Sequence, residues 1–335
     1  MINYIGMDIH KKFTVAVAKD RDGNKLAEEK FDNSKSNFEA FLKVFVPQET
    51  KIVIESTSVW EYIYDMLEEM KYKVILANPV KTRAIAEARI KTDSIDANTL
   101  CDLLRADLVA ESYIPPKEIR NLRNIMRQRK TIVKMQTQIK NRVHGVLLMN
   151  GITLPYEELG KKAMQWIIEE INVTSIKSVL VSYINLIEQH EFELKKLNER
   201  IKEIAQKNPQ AMLLTSIYGI AEIRAMEIIT EIGEINRFES AKKLCSYSGL
   251  IPGIKQSGTT IRFGRLIKQC NRSLKNVFIQ TSWVLIRPKE GNKFRELYLK
   301  LSKKKGKQKA ICAVARKLCC VVYAMLTKNQ EFMLL

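Results

Sequence analysis

INYIGMDIHKKFTVAVAKDRDGNKLAEEKFDN, residues 2–33, decides how the first part of this chain folds. INYIGMD reads as a short apolar strand ending on an acid. FTVAVAKD (13–20) alternates apolar and polar residues, and RDGN (21–24) supplies a turn. KLAEEKFDN (25–33) pairs back as a third strand. Further on, SKSNFEAFLKVFV (34–46) predicts a helix with a serine N-cap. KIVIES (51–56) is a buried strand, VWEYIYDMLEEMKY (59–72) an amphipathic helix, and KVILANP (73–79) a strand ended by Pro79. Residues 81–107 predict helix, with a break near Lys91–Asp93.

Three strands, a helix, a strand, a helix, a strand and a helix is the order of ribonuclease-H-like α/β folds. Asp8 ends the first strand and Glu55 the fourth, and in such a sheet these strands are parallel neighbours. Asp93 and Asp96 are three apart, which on a helix puts both on one face. Four converging carboxylates repel one another unless cations lie between them. Hard oxygen donors of this kind suit Mg²⁺ or Mn²⁺, and such ions can activate an attacking oxygen and stabilise a leaving one at a phosphodiester. Each acid also has an ordinary reading: Asp8 as a strand-end turn residue, Glu55 as an exposed cap, Asp93 as the N-cap of its helix.

Tyr113-Ile114-Pro115-Pro116 ends this pattern, so residues 1–115 are read as one domain. From Glu118 to Val143 no Gly or Pro interrupts a long helix. Ile125, Ile132, Ile139 and Val146 recur every seven residues, while Arg129 and Gln136 fall on the second seam position. Another long helix, about 173–207, carries Leu180, Ile187, Leu194 and Ile201 at one heptad position. Residues 116–207 are therefore read as a coiled-coil helical region, either an antiparallel hairpin or an intermolecular coil. Arg120, Arg123, Arg127, Lys130 and Lys134 step by three and four and share a face; with Arg142 they are candidate nucleic-acid contacts. Solvated faces usually mix signs, yet Lys117–Gly145 holds nine Lys/Arg and one acid.

Residues 208–335 read as a mainly helical third domain, with loops at Gly249–Gly258 and Arg287–Asn292. From Ser240 to Lys289 there are ten Lys/Arg and no acid. Across the chain, 56 Lys/Arg against 37 Asp/Glu leave a formal charge of +19. That excess favours a polyanionic partner, nucleic acid above all. No charged-then-apolar leader opens the chain, and no apolar run reaches the ~20 residues of a membrane span, so a cytoplasmic location is expected. The six cysteines form no C-x-x-C pair and are expected to be reduced, mostly buried thiols.

The motifs D-I-H-K (8–11), V-I-E-S-T (53–57) and K-T-D-S-I-D-A (91–97) resemble the DEDD transposases of bacterial insertion sequences, the insertion-sequence one-ten family. This family is related to Piv-type DNA invertases, and its first domain resembles the RuvC Holliday-junction resolvase. G-L-I-P-G-I-K-Q-S-G (249–258), F-G-R-L-I-K-Q-C-N-R-S-L-K (263–275) and K-A-I-C-A-V-A-R-K-L (309–318) are similar to its second domain. Cys270 and Lys275 depart from the Gly and Arg usual in the family, and Ile220-Ala221 follows Gly219 where a second glycine is common.

The resemblance implies a recombinase that cuts and rejoins DNA, with Asp8, Glu55, Asp93 and Asp96 holding Mg²⁺ or Mn²⁺. It implies a serine nucleophile, by position Ser257, with Ser246 and Ser248 as local competitors. It also implies a structured bridge RNA that pairs with donor and target DNA, and a homo-oligomer whose active site is shared between subunits. Arg262, Arg265, Lys268, Arg272 and Lys275 would then face nucleic acid beside the serine. A metal-dependent nuclease or junction resolvase using water as nucleophile is the alternative.

Overall fold

The computed structural model describes residues 2–85, 92–257, 260–288 and 292–332, leaving aside the side chains of Lys255, Ser257 and Ile261. The chain divides into two compact units, Met1–Ile114 and Pro115–Leu335.

The first unit is a five-stranded sheet with helices on both faces. Its strands are β1 (Asn3–Ile9), β2 (Phe13–Lys19) and β3 (Lys25–Asp32), then β4 (Thr50–Glu55) and β5 (Lys73–Ala77); α1 (Lys35–Leu42) and α2 (Trp60–Glu69) lie between β3, β4 and β5. The spatial order is β3-β2-β1-β4-β5. β1 and β2 are antiparallel, as are β2 and β3; β1 runs parallel to β4, and β4 to β5. Parallel neighbours need a crossover, and α1 and α2 supply them. Ser34 caps α1 through its side chain, as its sequence position predicts.

Strand alternation sends Ile5, Met7, Ile9, Ile52 and Ile54 to one face, against Phe38, Phe41, Leu42, Ile63 and Leu67. The other face packs Val15 and Val53 with Ala97, Leu100 and Leu104 of α4 (Asp93–Arg105). α3 (Pro79–Ile85) precedes it. The expected break near Lys91 lies outside the described residues; Thr92, with its side chain accepting from Ile95 N, caps α4.

The second unit opens with α5 (Lys117–Met149), α6 (Lys161–Glu170) and α7 (Thr174–Gln206). α5 and α7 form an antiparallel pair within one chain. Arg129 Nε donates to Asn198 Oδ1 at 2.7 Å and Gln136 Nε2 to Glu191 Oε1 at 3.3 Å. The two polar seam residues are thus rungs across the pair rather than flaws in it. Toward its tip the pair closes over α6, with Val143, Leu147, Ile167, Leu180 and Ile184 buried together.

The remaining helices are α8 (Pro209–Thr215), α9 (Glu222–Ile232), α10 (Ala241–Tyr247), α11 (Arg272–Leu285), α12 (Lys293–Lys305) and α13 (Lys307–Lys328). Between α10 and α11 stands a two-stranded ribbon, β6 (Pro252–Ser257) and β7 (Thr260–Leu266). The sequence expectation of a loop over Gly249–Gly258 is corrected here: apart from Gly258, outside the described residues, most of it is strand. Ile254 opposes Phe263 and Gln256 opposes Ile261, which is the alternation a ribbon needs. α13 is long and apolar enough by composition to cross a membrane. It is the central helix of this unit, burying Ile311, Val314, Ala315, Leu318 and Val322 in the core. The six cysteines are free, and Cys101, Cys245 and Cys319 are buried.

Candidate functional site

Asp8 and Glu55 come together through register. Met7 pairs with Ile54, and Asp8 and Glu55 are the next residues on the two strands. Both alternate to the face that α4 covers, because Met7 and Ile54 point into the opposite core. α4 can approach β1 closely because position 6 is glycine. A Cβ there would lie 2.5 Å from Cys101 N and would overlap the carbonyl oxygen of Ala97. The close approach sets the first turn of α4, with Asp93 and Asp96, beside the end of β1. That turn carries the partial positive charge of the helix N-terminus, which favours carboxylates there. Because Thr92 does the capping, the ordinary reading of Asp93 as N-cap is set aside, and its carboxylate turns to other partners.

One of those partners is His10, which the sequence reading did not single out. His10 Nε2 lies 3.0 Å from Asp8 Oδ2 and 3.2 Å from Asp93 Oδ1. With a proton on Nε2 the ring donates to a carboxylate; with that nitrogen unprotonated it is free to ligate a cation. The ring also stacks on Phe13, with centroids 4.5 Å apart. The D-x-H spacing was a usable signal: two residues beyond Asp8 the chain leaves β1 and turns back toward β2, so His10 stays at the same sheet end.

The electrostatics agree with crowding. The Asp8 side chain is 13% exposed. Burial pushes its carboxyl above the usual aspartate range; His10 pulls it back in part, and the charges of Asp93 and Asp96 push it up again. Asp8, His10 and Asp93 each bring a donor atom within 4.8 Å of the others. Two carboxylates and an imidazole around one point, with further acids alongside, fit a divalent cation. The carboxylate oxygens are ligands of the kind that hard divalent cations take.

The basic helix is reorganised relative to its sequence reading. Arg120 is 4% exposed and donates from Nε to Pro115 O. Arg123 donates to Thr230 O at 3.0 and 2.8 Å, and its Nε lies 3.7 Å from Glu231. A guanidinium on the last carbonyls of α9 satisfies acceptors that the helix itself cannot. Lys130 Nζ donates to Ser273 Oγ at 3.0 Å. Arg120 and Arg123 are therefore corrected from surface cations to structural ones. Arg127, Lys134 and Arg142 remain exposed, although Arg127 also lies 3.6 Å from Glu231. Glu231, 3% exposed, further accepts from Asn271 Nδ2 at 2.8 Å, tying α5 to the N-cap of α11.

Arg262, Arg265, Lys268 and Arg272 are exposed on and just after the ribbon. Lys275 is half-buried and donates to Ile267 O. Ser257 is the last residue of β6, paired with Thr260; its side chain lies outside the described residues. Ser246 sits on α10, and Ser248 is buried and donates to Leu244 O, which removes it from the surface. Cys270 packs beside Gly249, whose φ of +66° and missing Cβ leave room for the sulfur.

Two family models match the chain. One, described as a transposase of the DEDD IS110 type, covers residues 5–150. The other, "Transposase IS116/IS110/IS902 family", covers residues 211–299. The transposase for insertion sequence element IS1328 of Yersinia enterocolitica is 21% identical over 99% of this chain and 98% of its own. That for IS1111A of Coxiella burnetii is 24% identical over 78% of this chain and 75% of its own. The pilin gene-inverting protein of Moraxella bovis is 25% identical over 84% of this chain and 81% of its own.

Proposed function

The chain belongs to the IS110-type transposases, and on that premise we propose that it cuts and rejoins DNA with four acids and a serine held on separate units. The observation that carries this reading is the crowding at the end of β1. Asp8 is held among His10, Asp93 and Asp96, with Glu55 next in register.

Asp8, Glu55, Asp93 and Asp96 hold Mg²⁺ or Mn²⁺, with His10 beside them. A divalent cation there would supply Lewis acidity at a DNA phosphate and relieve the repulsion among the acids. Ser257, at the end of β6, is the nucleophile. Its oxygen bonds to phosphorus as one phosphate ester bond breaks; its proton passes to a neighbouring base, and the departing sugar oxygen takes up a proton. The acids belong to the first unit and Ser257 to the second, so a homo-oligomer completing one site from two chains is part of the proposal. The exposed cations Arg127, Lys134, Arg142, Arg262, Arg265, Lys268 and Arg272 grip phosphates. Sequence choice is delegated to a bridge RNA pairing with donor and target DNA.

The test uses DNA carrying the ends of the element that encodes the chain, with Mg²⁺ and co-purified RNA. Wild type is expected to form a covalent protein–DNA adduct on a denaturing gel and to recombine the ends. Ser257→Ala should lose both. If it still recombines, water rather than serine is the nucleophile and the resolvase-like alternative takes over. Asp8→Ala should lose cleavage but keep binding; retained cleavage counts against the metal site. Sequencing the co-purified RNA should find one discrete species encoded beside the gene, and random cellular RNA would remove the guide from the reading.

A further inference from the structure

The ribbon exposes what a folded protein normally hides. Phe263 is 70% exposed and Ile254, its partner in register, is 62% exposed. Cross-strand partners share a face, so ring and aliphatic chain form one small apolar surface. Arg262 and Arg265, both exposed, bracket Phe263 along β7, whose register against β6 shifts between Ile254 and Pro252. From Pro252 to Lys275 there are six Lys/Arg and no acid. The glycine after Phe263 adds no bulk beside the ring. Two side chains are too little area for a stable protein interface. An aromatic ring flanked by cations is instead what a nucleobase and its phosphates require.

We propose that Phe263 is a base-stacking platform, with Ile254 supporting the ring and Arg262 and Arg265 holding the flanking phosphates. Its occupant is an unstacked base of the DNA strand lying along the ribbon. The idea rests on the reading of the ribbon as the DNA-facing element that carries Ser257. Its physical role is to hold open the stack next to the phosphate that Ser257 attacks. Stacking on an aromatic side chain is worth roughly 1–3 kcal/mol per base, or about 5- to 150-fold in affinity, and tolerates any base.

The test measures binding by the full chain, in EDTA so that no cleavage occurs, to two DNA duplexes. One is fully paired; the other carries a three-base unpaired bubble with 2-aminopurine at its centre. Wild type is expected to prefer the bubble and to quench the 2-aminopurine. Phe263→Ala should lose roughly tenfold or more on the bubble and little on the paired duplex, with unchanged thermal unfolding and an unchanged salt slope. Phe263→Leu, apolar but without a ring, should behave like Phe263→Ala, and Phe263→Trp should restore binding and quenching. Arg262→Gln with Arg265→Gln should flatten the salt dependence instead. Wild-type bubble affinity in Phe263→Ala, or in Phe263→Leu, overturns the platform. Because nothing is cut, Ser257→Ala must keep the bubble preference if the platform is correct. Failure of the serine mechanism is thus read separately, in the recombination assay.

Discussion

The carbonyl oxygen of Ala97 lies where a side chain at Gly6 would begin. This contact fixes how closely α4 approaches β1, and therefore where Asp93 and Asp96 stand relative to Asp8. Gly6→Ala should force the helix outward or strain the strand. Overpacking a buried contact costs about 1–3 kcal/mol, and a clash with backbone on both sides cannot be relieved by a rotamer change. Urea unfolding should show the loss, and the Mn²⁺ affinity of whatever remains folded should fall. Wild-type stability in this variant would show that the helix position is not set here.

Asp8 makes the pH behaviour predictable. Its folded carboxyl titrates above the unfolded value, chiefly because it is buried. Ionising it therefore opposes folding: the penalty is absent well below the ordinary aspartate range and complete once the pH exceeds the raised value. Without metal, Asp8→Asn should unfold at a higher temperature than wild type at pH 7, and the advantage should vanish at about pH 3. Adding Mg²⁺ at a hundred times its dissociation constant should stabilise wild type by about 2.7 kcal/mol and the variant far less. Equal unfolding temperatures at pH 7 in EDTA would contradict the crowded-carboxylate account.

Two arginines on one helix should respond in opposite ways. Arg120 is buried and bonded to the backbone, whereas Arg142 is exposed. Arg120→Gln should lower the unfolding temperature and leave the salt dependence of DNA binding unchanged. Arg142→Gln should leave stability alone and flatten the slope of log K against log salt by about 0.9 for one lost duplex phosphate contact. A reversed pattern would return Arg120 to the binding face.

Glu231 is the buried anchor between α5 and the start of α11. Glu231→Gln keeps the shape and a bond to Asn271 but removes the charge facing Arg123 and Arg127. Breaking a buried pair typically costs about 3–5 kcal/mol; here about 2 kcal/mol is expected, because Arg127 can turn to water. Chemical denaturation measures it, and a change below about 0.5 kcal/mol would mean the pairs add nothing net.

The first unit was legible because its signals are local. A period-two run marked β2, short apolar runs marked β1 and β4, and an acid at the end of each of two parallel strands has few places to go. Ser34 announced α1 by its side chain. His10 escaped because its role depends on a turn bringing it back over Asp8 and on α4 arriving from eighty residues away. The ribbon escaped because its strands are interrupted by Gly253 and Gly264 and bury little, so hydrophobic patterning was faint. The inward turn of Arg123 depends on carbonyls at the end of α9, more than a hundred residues along the chain, and that of Arg120 on its bond to Pro115 O. No count of charges in Lys117–Gly145 could reveal them.

The rungs Arg129–Asn198 and Gln136–Glu191 have a mechanical consequence. Polar contacts at two separate levels oppose sliding of α5 along α7, since a slip would strand all four groups. A helix of 33 residues is about 50 Å long at the standard rise. A pair that cannot shear moves as a stiff lever: a tilt of about 5° at its base carries the far end through roughly 4 Å, given that length. Small rearrangements among α8, α9 and the foot of α5 are thereby amplified at the tip around Asn150, where any molecule gripping that tip would feel them.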